Sequence, residues 1–352
     1  MVKGRMKALM KTKPGPGAEL VEVDIPDYGP DDVLVEVTAT SICGTDAHIY
    51  NWDPWAESRI KPPLVFGHEF AGTIVAKGDN VASLGIGDFI SAETHITCGE
   101  CYQCRTGQEH ICQNVAIIGV DVQGCFSQYV ALPARNASKT HPSVHPAVAS
   151  IQEPFGNAVH TVLAGDTVGK TVVVYGCGPI GLCAIPLAHA VGVSKVFAID
   201  LNDYRLDLAR KLGAERVIDA KSEDALAVLL DETDGEGVDI IYEMSGAPIA
   251  IQQGLKALKN GGLMSLLGLP TRPVEIDITD DVVFKGVTIQ GISGRKMFDT
   301  WYKTTALLES GRVDIGPIIT HEFALEDYDE AFELMTSGNS GKIVFYPNGE
   351  PV

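Results

Sequence analysis

The turn Gly176-Cys177-Gly178-Pro179-Ile180-Gly181 follows an apolar run at residues 171–176 and opens a helix-length segment. This order of strand, G-x-G-x-x-G and helix constrains the chain more than any other feature. Gly176 permits the tight turn, Gly178 lets backbone approach a pyrophosphate, and Gly181 allows close packing of helix on strand. The helix N-terminus adds amide donors and the positive end of its dipole. Further short apolar runs at 195–200, 216–219, 238–244 and 263–268 alternate with helix-length segments, and 284–292 reads as another strand. Such alternation predicts a parallel sheet wound on both faces, a Rossmann-like domain.

The first half differs in texture. Runs such as VLVEV at 33–37 and FAGTIV at 70–75 are separated by turn residues, which predicts an irregular, mostly β domain. At 352 residues the chain exceeds what one core usually supports, so two domains are expected. After the second domain, 297–311 is helical in pattern, and the tail returns to mixed structure that is able to rejoin the first domain.

Asp200 ends the strand that follows the glycine turn. A carboxylate there accepts hydrogen bonds from adenosine ribose hydroxyls and repels a 2′-phosphate, which favours NAD over NADP; Arg205, close by, pulls the other way. The alternative is a glycine turn in a doubly wound domain that binds nothing.

Cys98, Cys101, Cys104 and Cys112 offer four thiolates within fifteen residues. A closed tetrahedral zinc site takes such soft ligands, and with no open position its role is structural. An iron–sulfur cluster needs different spacings, and unligated thiols so close together would be open to oxidation. A second set is dispersed: Cys43, then His68 and Glu69 in Gly67-His68-Glu69, then Glu153. Cys43, His68 and a carboxylate satisfy a catalytic zinc site, which takes three protein ligands and leaves one place open. Singly, a histidine or cysteine is often a packed core residue and a glutamate often an ion-pair partner. The conjunction carries the reading.

The net charge of −19, from 46 acidic and 27 basic residues, supplies no footprint for a polyanion, so nucleic acid is not an expected partner. No apolar run is long enough to span a bilayer, and the N-terminal MVKGRMKALM lacks a secretory core, which predicts a cytoplasmic protein without a membrane partner.

In this order, the Cys43 block, Gly67-His68-Glu69, the four-cysteine lobe and the glycine turn resemble the medium-chain zinc alcohol dehydrogenases. The resemblance spans essentially the whole chain. It implies a GroES-like catalytic domain at 1–157, completed by 297–352, a Rossmann NAD-binding domain at 158–296, and a homotetramer. Blocks at 48–53, 95–99, 154–160 and 294–302 are similar to the family's threonine-oxidising branch. That branch implies oxidation of L-threonine at its 3-hydroxyl to 2-amino-3-oxobutanoate, with NAD as acceptor.

By the same resemblance Cys43, His68 and Glu69 ligate the catalytic zinc, and Glu153 either ligates it or assists proton transfer. Thr45 and His48 resemble a proton relay, and Asp46 a partner of the ligands. His95 is placed to orient substrate. Ile180, Asp200, Arg205, Leu267, Gly268, Leu269, Ile292 and Ser293 match NAD contacts. The plainer readings are a turn hydroxyl for Thr45 and a surface histidine for His48. A polyol such as sorbitol, or butane-2,3-diol, suits the same machinery. A non-catalytic nucleotide sensor is the rival from another class, and it would not need the second metal set.

Overall fold

The computed structural model describes residues 2–349. Two compact units emerge, one of Met1–Glu153 with Lys296–Glu309 and Ile319–Val352, the other of Pro154–Arg295 with Ser310–Ile318.

The second unit is built on a six-stranded sheet, all of whose pairs are parallel. In spatial order the strands are Arg216–Asp219, Lys195–Asp200, Thr171–Tyr175, Val238–Glu243, Leu258–Leu266 and Thr288–Gly291. Chain direction across the sheet reverses between Thr171–Tyr175 and Val238–Glu243, which opens a crevice beyond the carboxyl ends of those strands. Val172, Val173 and Val174 are fully buried, as expected of a strand covered on both faces. The helices Pro179–Ala190, Asp203–Lys211, Ala225–Asp231 and Pro248–Ala257 form the connections. Asn202 starts one by accepting the Arg205 amide, and Asp224 starts another by accepting those of Leu226 and Ala227.

Two elements differ from the sequence reading. The strand expected at 263–268 begins earlier, at Leu258. The one expected at 284–292 is confined to Thr288–Gly291, because Asp277 caps a wide helical turn over Ile278–Val283 that takes Phe284 as its last residue. The helical pattern at 297–311 forms as Asp299–Glu309.

In the first unit, a long strand, Asp32–Ser41, pairs antiparallel with Glu69–Lys77 along its length. Its two ends take different partners on its other edge: Tyr129–Pro133 near the start and Lys342–Tyr346 at the finish. Lys342–Tyr346 in turn pairs parallel with Ile319–Ala324, so the tail is part of this sheet. Phe66, Phe70, Phe126, Phe332 and Phe345 meet in the core and are at most 1% exposed. Each such ring contributes about 2 kcal/mol of burial. Phe332 arrives on the tail helix Tyr328–Ser337, which ties the C-terminal segment to the same core.

Candidate active site and metal centres

The register of the first unit brings distant residues to one point. Ser41 pairs with Glu69 on one side and with Val344 on the other. Cys43 follows directly, at the cap of the helix Gly44–Asn51. Gly67 lies just before Glu69 with φ +87°, a backbone conformation that disfavours any side chain. A Cβ there would sit 2.4 Å from the Phe126 ring. Glycine is therefore required for His68 and Glu69 to enter the strand at this angle.

Ligand atoms of Cys43, His68 and Glu69 lie within 4.8 Å of one another. His68 is 5% exposed and Glu69 is fully buried. Asp46 Oδ1 stands 3.5 Å from His68 Nδ1, while its Oδ2 accepts the Cys43 amide at 2.8 Å. Burial opposes a charge on His68, yet the Asp46 carboxylate and the Cys43 sulfur override it and hold the imidazole well above its ordinary pKa. Burial pushes the Glu69 carboxyl up, against the lowering influence of Lys342. Oε1 of Glu69 and Nδ1 of His68 have no hydrogen-bond partner among the described residues. With His68 Nδ1 turned to Asp46, its other ring nitrogen, the Cys43 sulfur and the unpartnered Glu69 Oε1 fit a divalent metal with mixed S, N and O ligands, which would displace the ring proton.

Glu153, in the helix Gln152–Val162, accepts from Thr94 Oγ1 at 3.2 Å and is 5% exposed. Its charge is felt at both Glu69 and Lys342. Thr45 Oγ1 lies 3.9 Å from Cys43 Sγ, on the same short helix as His48. His48 is exposed and its Nδ1 meets Asp53 Oδ2 at 2.5 Å. His95 is held from below: Glu93 Oε1 takes its amide at 2.9 Å and faces its Nδ1 at 3.1 Å, while Glu93 Oε2 accepts the Trp301 indole at 2.8 Å.

The four-cysteine lobe is preformed. Sulfur pairs are separated by 3.5 Å (Cys98–Cys112 and Cys101–Cys104), 3.9 Å (Cys101–Cys112) and 4.0 Å (Cys98–Cys104). A tetrahedron with metal–sulfur bonds of about 2.3 Å has edges of about 3.8 Å, so the cage has the size for zinc. Amides also point at the sulfurs: Cys101 N donates to Cys98 Sγ at 3.4 Å and Asn114 N to Cys112 Sγ at 3.3 Å. Backbone donors draw the Cys98 thiol down to about 6, and burial pushes Cys104 up to about 12.

In the second unit, Gly176 has φ +91°, and a Cβ on Gly181 would fall 2.0 Å from the Gly176 carbonyl. Beside Gly178, by contrast, no atom comes within 4 Å of such a Cβ, which leaves the backbone open at the start of Pro179–Ala190. A groove of 420 Å³ runs past Gly176, Gly178, Asp200, Arg205, Met244 and Ser245. Asp200 Oδ2 accepts the Cys177 amide at 2.7 Å, and Oδ1 accepts those of Leu201 and Asn202. Arg205 Nε is buried in the same groove and has no hydrogen-bond partner among the described residues. An open glycine backbone and an anchored carboxylate in one groove fit a dinucleotide. Ile180 is half-buried on the helix, Leu267 and Gly268 donate their amides to the Glu243 carbonyl, Leu269 is 87% exposed, Ile292 is buried, and Ser293 is exposed.

Residues 29–142 match the profile of the alcohol dehydrogenase GroES-like domain, and residues 179–310 that of the zinc-binding dehydrogenase domain. Over 347 residues the chain is 54% identical to the L-threonine 3-dehydrogenase of Bacillus subtilis (strain 168), covering 99% of this chain and 100% of that protein. The chain belongs to the zinc-binding dehydrogenase family. A second relative, the L-threonine 3-dehydrogenase of Pyrococcus horikoshii, is 52% identical over 342 residues, with 97% and 98% of the two chains covered. Among solved structures, a zinc-binding dehydrogenase of Sinorhizobium meliloti 1021 bound to NADP superposes with a TM-score of 0.91 at 28% identity, covering 98% of this chain and 100% of that one.

For a zinc-binding dehydrogenase the division between the two clusters follows from their donors. The four thiolates close a site, whereas Cys43, His68 and Glu69 leave one position. Ser41, Thr94, Glu93 and Lys342 lie outside every motif of the sequence, while Asp53 and Trp301 fall in the 48–53 and 294–302 blocks without a role being legible there. Only Lys342 had a local signal, a single charge at the head of the apolar run KIVFY.

Proposed function

We propose that the chain oxidises L-threonine at its 3-hydroxyl to 2-amino-3-oxobutanoate, with NAD as hydride acceptor. The observation that carries this reading is the buried Cys43, His68 and Glu69 set in a chain 54% identical to a curated L-threonine 3-dehydrogenase. When bound, zinc at this set supplies Lewis acidity that makes a hydroxyl proton easier to lose, and NAD accepts the hydride.

The protein's own residues do the rest. Asp46 fixes the His68 ring from behind and the Cys43 amide from the side, so both ligands are set before a metal arrives. Thr45, whose hydroxyl both donates and accepts, passes the substrate proton toward His48. His48, held by Asp53 at the surface, hands it to solvent. Glu153, hydrogen-bonded to Thr94, stands as a further ligand or proton acceptor. His95, oriented by Glu93, is assigned to the substrate. For this chemistry we assign residues 1–157 with 297–352 to catalysis and 158–296 to nucleotide binding.

Cofactor choice rests on Asp200, whose charge disfavours a 2′-phosphate. Gly176, Gly178, Ile180, Gly181, Arg205, Leu267, Gly268, Leu269, Ile292 and Ser293 complete the proposed nucleotide contacts. We also assign a homotetrameric, cytoplasmic protein. Ile278, Val283, Phe284 and Ile289 are all exposed at or near the edge strand Thr288–Gly291, which supports assembly through apolar surface. Among the described residues no helix is long and apolar enough to cross a membrane.

Steady-state NADH formation with L-threonine, D-threonine, L-allo-threonine, sorbitol and butane-2,3-diol tests the reading. The expected result is the highest kcat/KM for L-threonine with NAD. A higher value for either polyol would assign the chain to the rival substrate class, and no turnover of any alcohol would favour the sensor.

A further inference from the structure

Lys342 heads the last strand of the first unit, and its Nζ rests against Glu69 Oε2. The same ammonium donates to the Ile42 carbonyl at 2.8 Å. The two side chains are 2% and 0% exposed, so this is an ion pair sealed from water. Ser41 Oγ donates to the same Glu69 oxygen. The other oxygen, Oε1, has no hydrogen-bond partner among the described residues, and Glu69 is the carboxylate that stands with Cys43 and His68. The carboxylate is thus divided, with one oxygen committed to a fixed cation and a hydroxyl, and the other left for a ligand.

The surroundings are strongly acidic. Cys43, Asp46 and Glu69 converge, and the Glu153 charge is felt by both Glu69 and Lys342. A dication held there would be attracted by all of them, and the more charge its ligands donate, the weaker a Lewis acid it becomes. Lys342 offsets part of that negative field without occupying a coordination position.

We propose that Lys342 is a positioning residue that restrains Glu69 Oε2 and so keeps the metal of the Cys43 site electron-poor and exchangeable. The inference rests on the reading of Cys43, His68 and Glu69 as the catalytic metal site. It makes a prediction opposite in sign to ordinary damage. Removing one partner of a buried ion pair normally loosens a protein. Here the loss of Lys342 leaves Glu69 with a second oxygen to donate and the pocket with one more uncompensated negative charge, and the metal is held harder.

The test uses the full-length protein loaded with cobalt, whose visible spectrum follows transfer of the metal to excess dipicolinate. The kinetic phase missing from Cys43→Ser belongs to this site. In Lys342→Met that phase is expected to slow by about tenfold, with a changed ligand-field spectrum, while Lys342→Arg releases cobalt at the wild-type rate. Release from Lys342→Met at the wild-type rate or faster, with the far-UV spectrum intact, would overturn the proposal. Should Lys342→Met not fold, Lys342→Gln carries the same test, because it keeps a polar side chain and removes the charge beside that oxygen: slower release supports the proposal, and an unchanged rate overturns it. If Cys43→Ser retains every cobalt phase, the site assignment itself falls and takes the proposal with it. That outcome is separate from a wild-type rate in Lys342→Met.

Discussion

The Asp200 carboxylate accepts the Cys177 amide at 2.7 Å, which fastens the end of its strand to the glycine turn that leaves the neighbouring, preceding strand. Its other oxygen takes two further amides, from Leu201 and Asn202. The residue proposed to choose the cofactor thus also holds the loop that receives it. In Asp200→Asn one amide hydrogen pair must face a backbone N–H, donor against donor, and the charge opposed to a 2′-phosphate is gone. The expected outcome is a rise of roughly tenfold or more in KM for NAD and a smaller preference for NAD over NADP. Paired initial-rate measurements with the two cofactors check it; an unchanged ratio would contradict the assignment.

Cys43→Ser exchanges a soft thiolate for a hydroxyl in a buried three-ligand set. Turnover should fall by at least about a thousandfold, while NADH affinity stays within about twofold. Metal analysis beside a fluorescence titration with NADH separates the two effects. Substantial activity in a protein retaining its full metal content would remove Cys43 from the site.

Cys101 contacts two other sulfurs of the lobe, at 3.5 and 3.9 Å, and has no place in the Cys43 set. Its replacement by serine should cost several degrees in Tm and one zinc per chain, with metal kept at the Cys43 site. Calorimetry with zinc quantitation decides the matter. Equal melting with one zinc fewer would argue against a structural role.

Gly67→Ala tests the backbone that presents His68 and Glu69. A Cβ 2.4 Å from Phe126, added at φ +87°, meets both steric clash and an unfavourable conformation. Destabilisation of about 2–3 kcal/mol is expected, with weaker metal retention as the strand entry shifts. Urea unfolding of metal-loaded and metal-free protein measures both, and a melting curve matching wild type would show that the turn accommodates the methyl group.

Much of this was legible in the sequence for a physical reason. The nucleotide domain is built from local units, so its strands follow from short apolar runs; Gly176 takes the positive φ of the tight turn, Gly178 is left open and Gly181 packs against the Gly176 carbonyl, as their spacing implies. The four-cysteine lobe is likewise local, closed within fifteen residues. The strand boundary at Leu258 was hidden because Lys259-Asn260-Gly261-Gly262 reads as a turn, yet forms the start of a strand. The Glu93–Trp301 and Glu69–Lys342 contacts were hidden for a different reason: each joins segments more than two hundred residues apart, and no periodicity records such a meeting.

The Glu69–Lys342 pair also sets an order of events in synthesis. Residues 43, 68 and 69 leave the ribosome early, but their ammonium partner follows 273 residues later, on a strand that inserts beside Asp32–Ser41. The counter-charge of Glu69 is thus the latest-made of the groups gathered at this point, and the buried pair is complete only once Lys342–Tyr346 has joined the sheet.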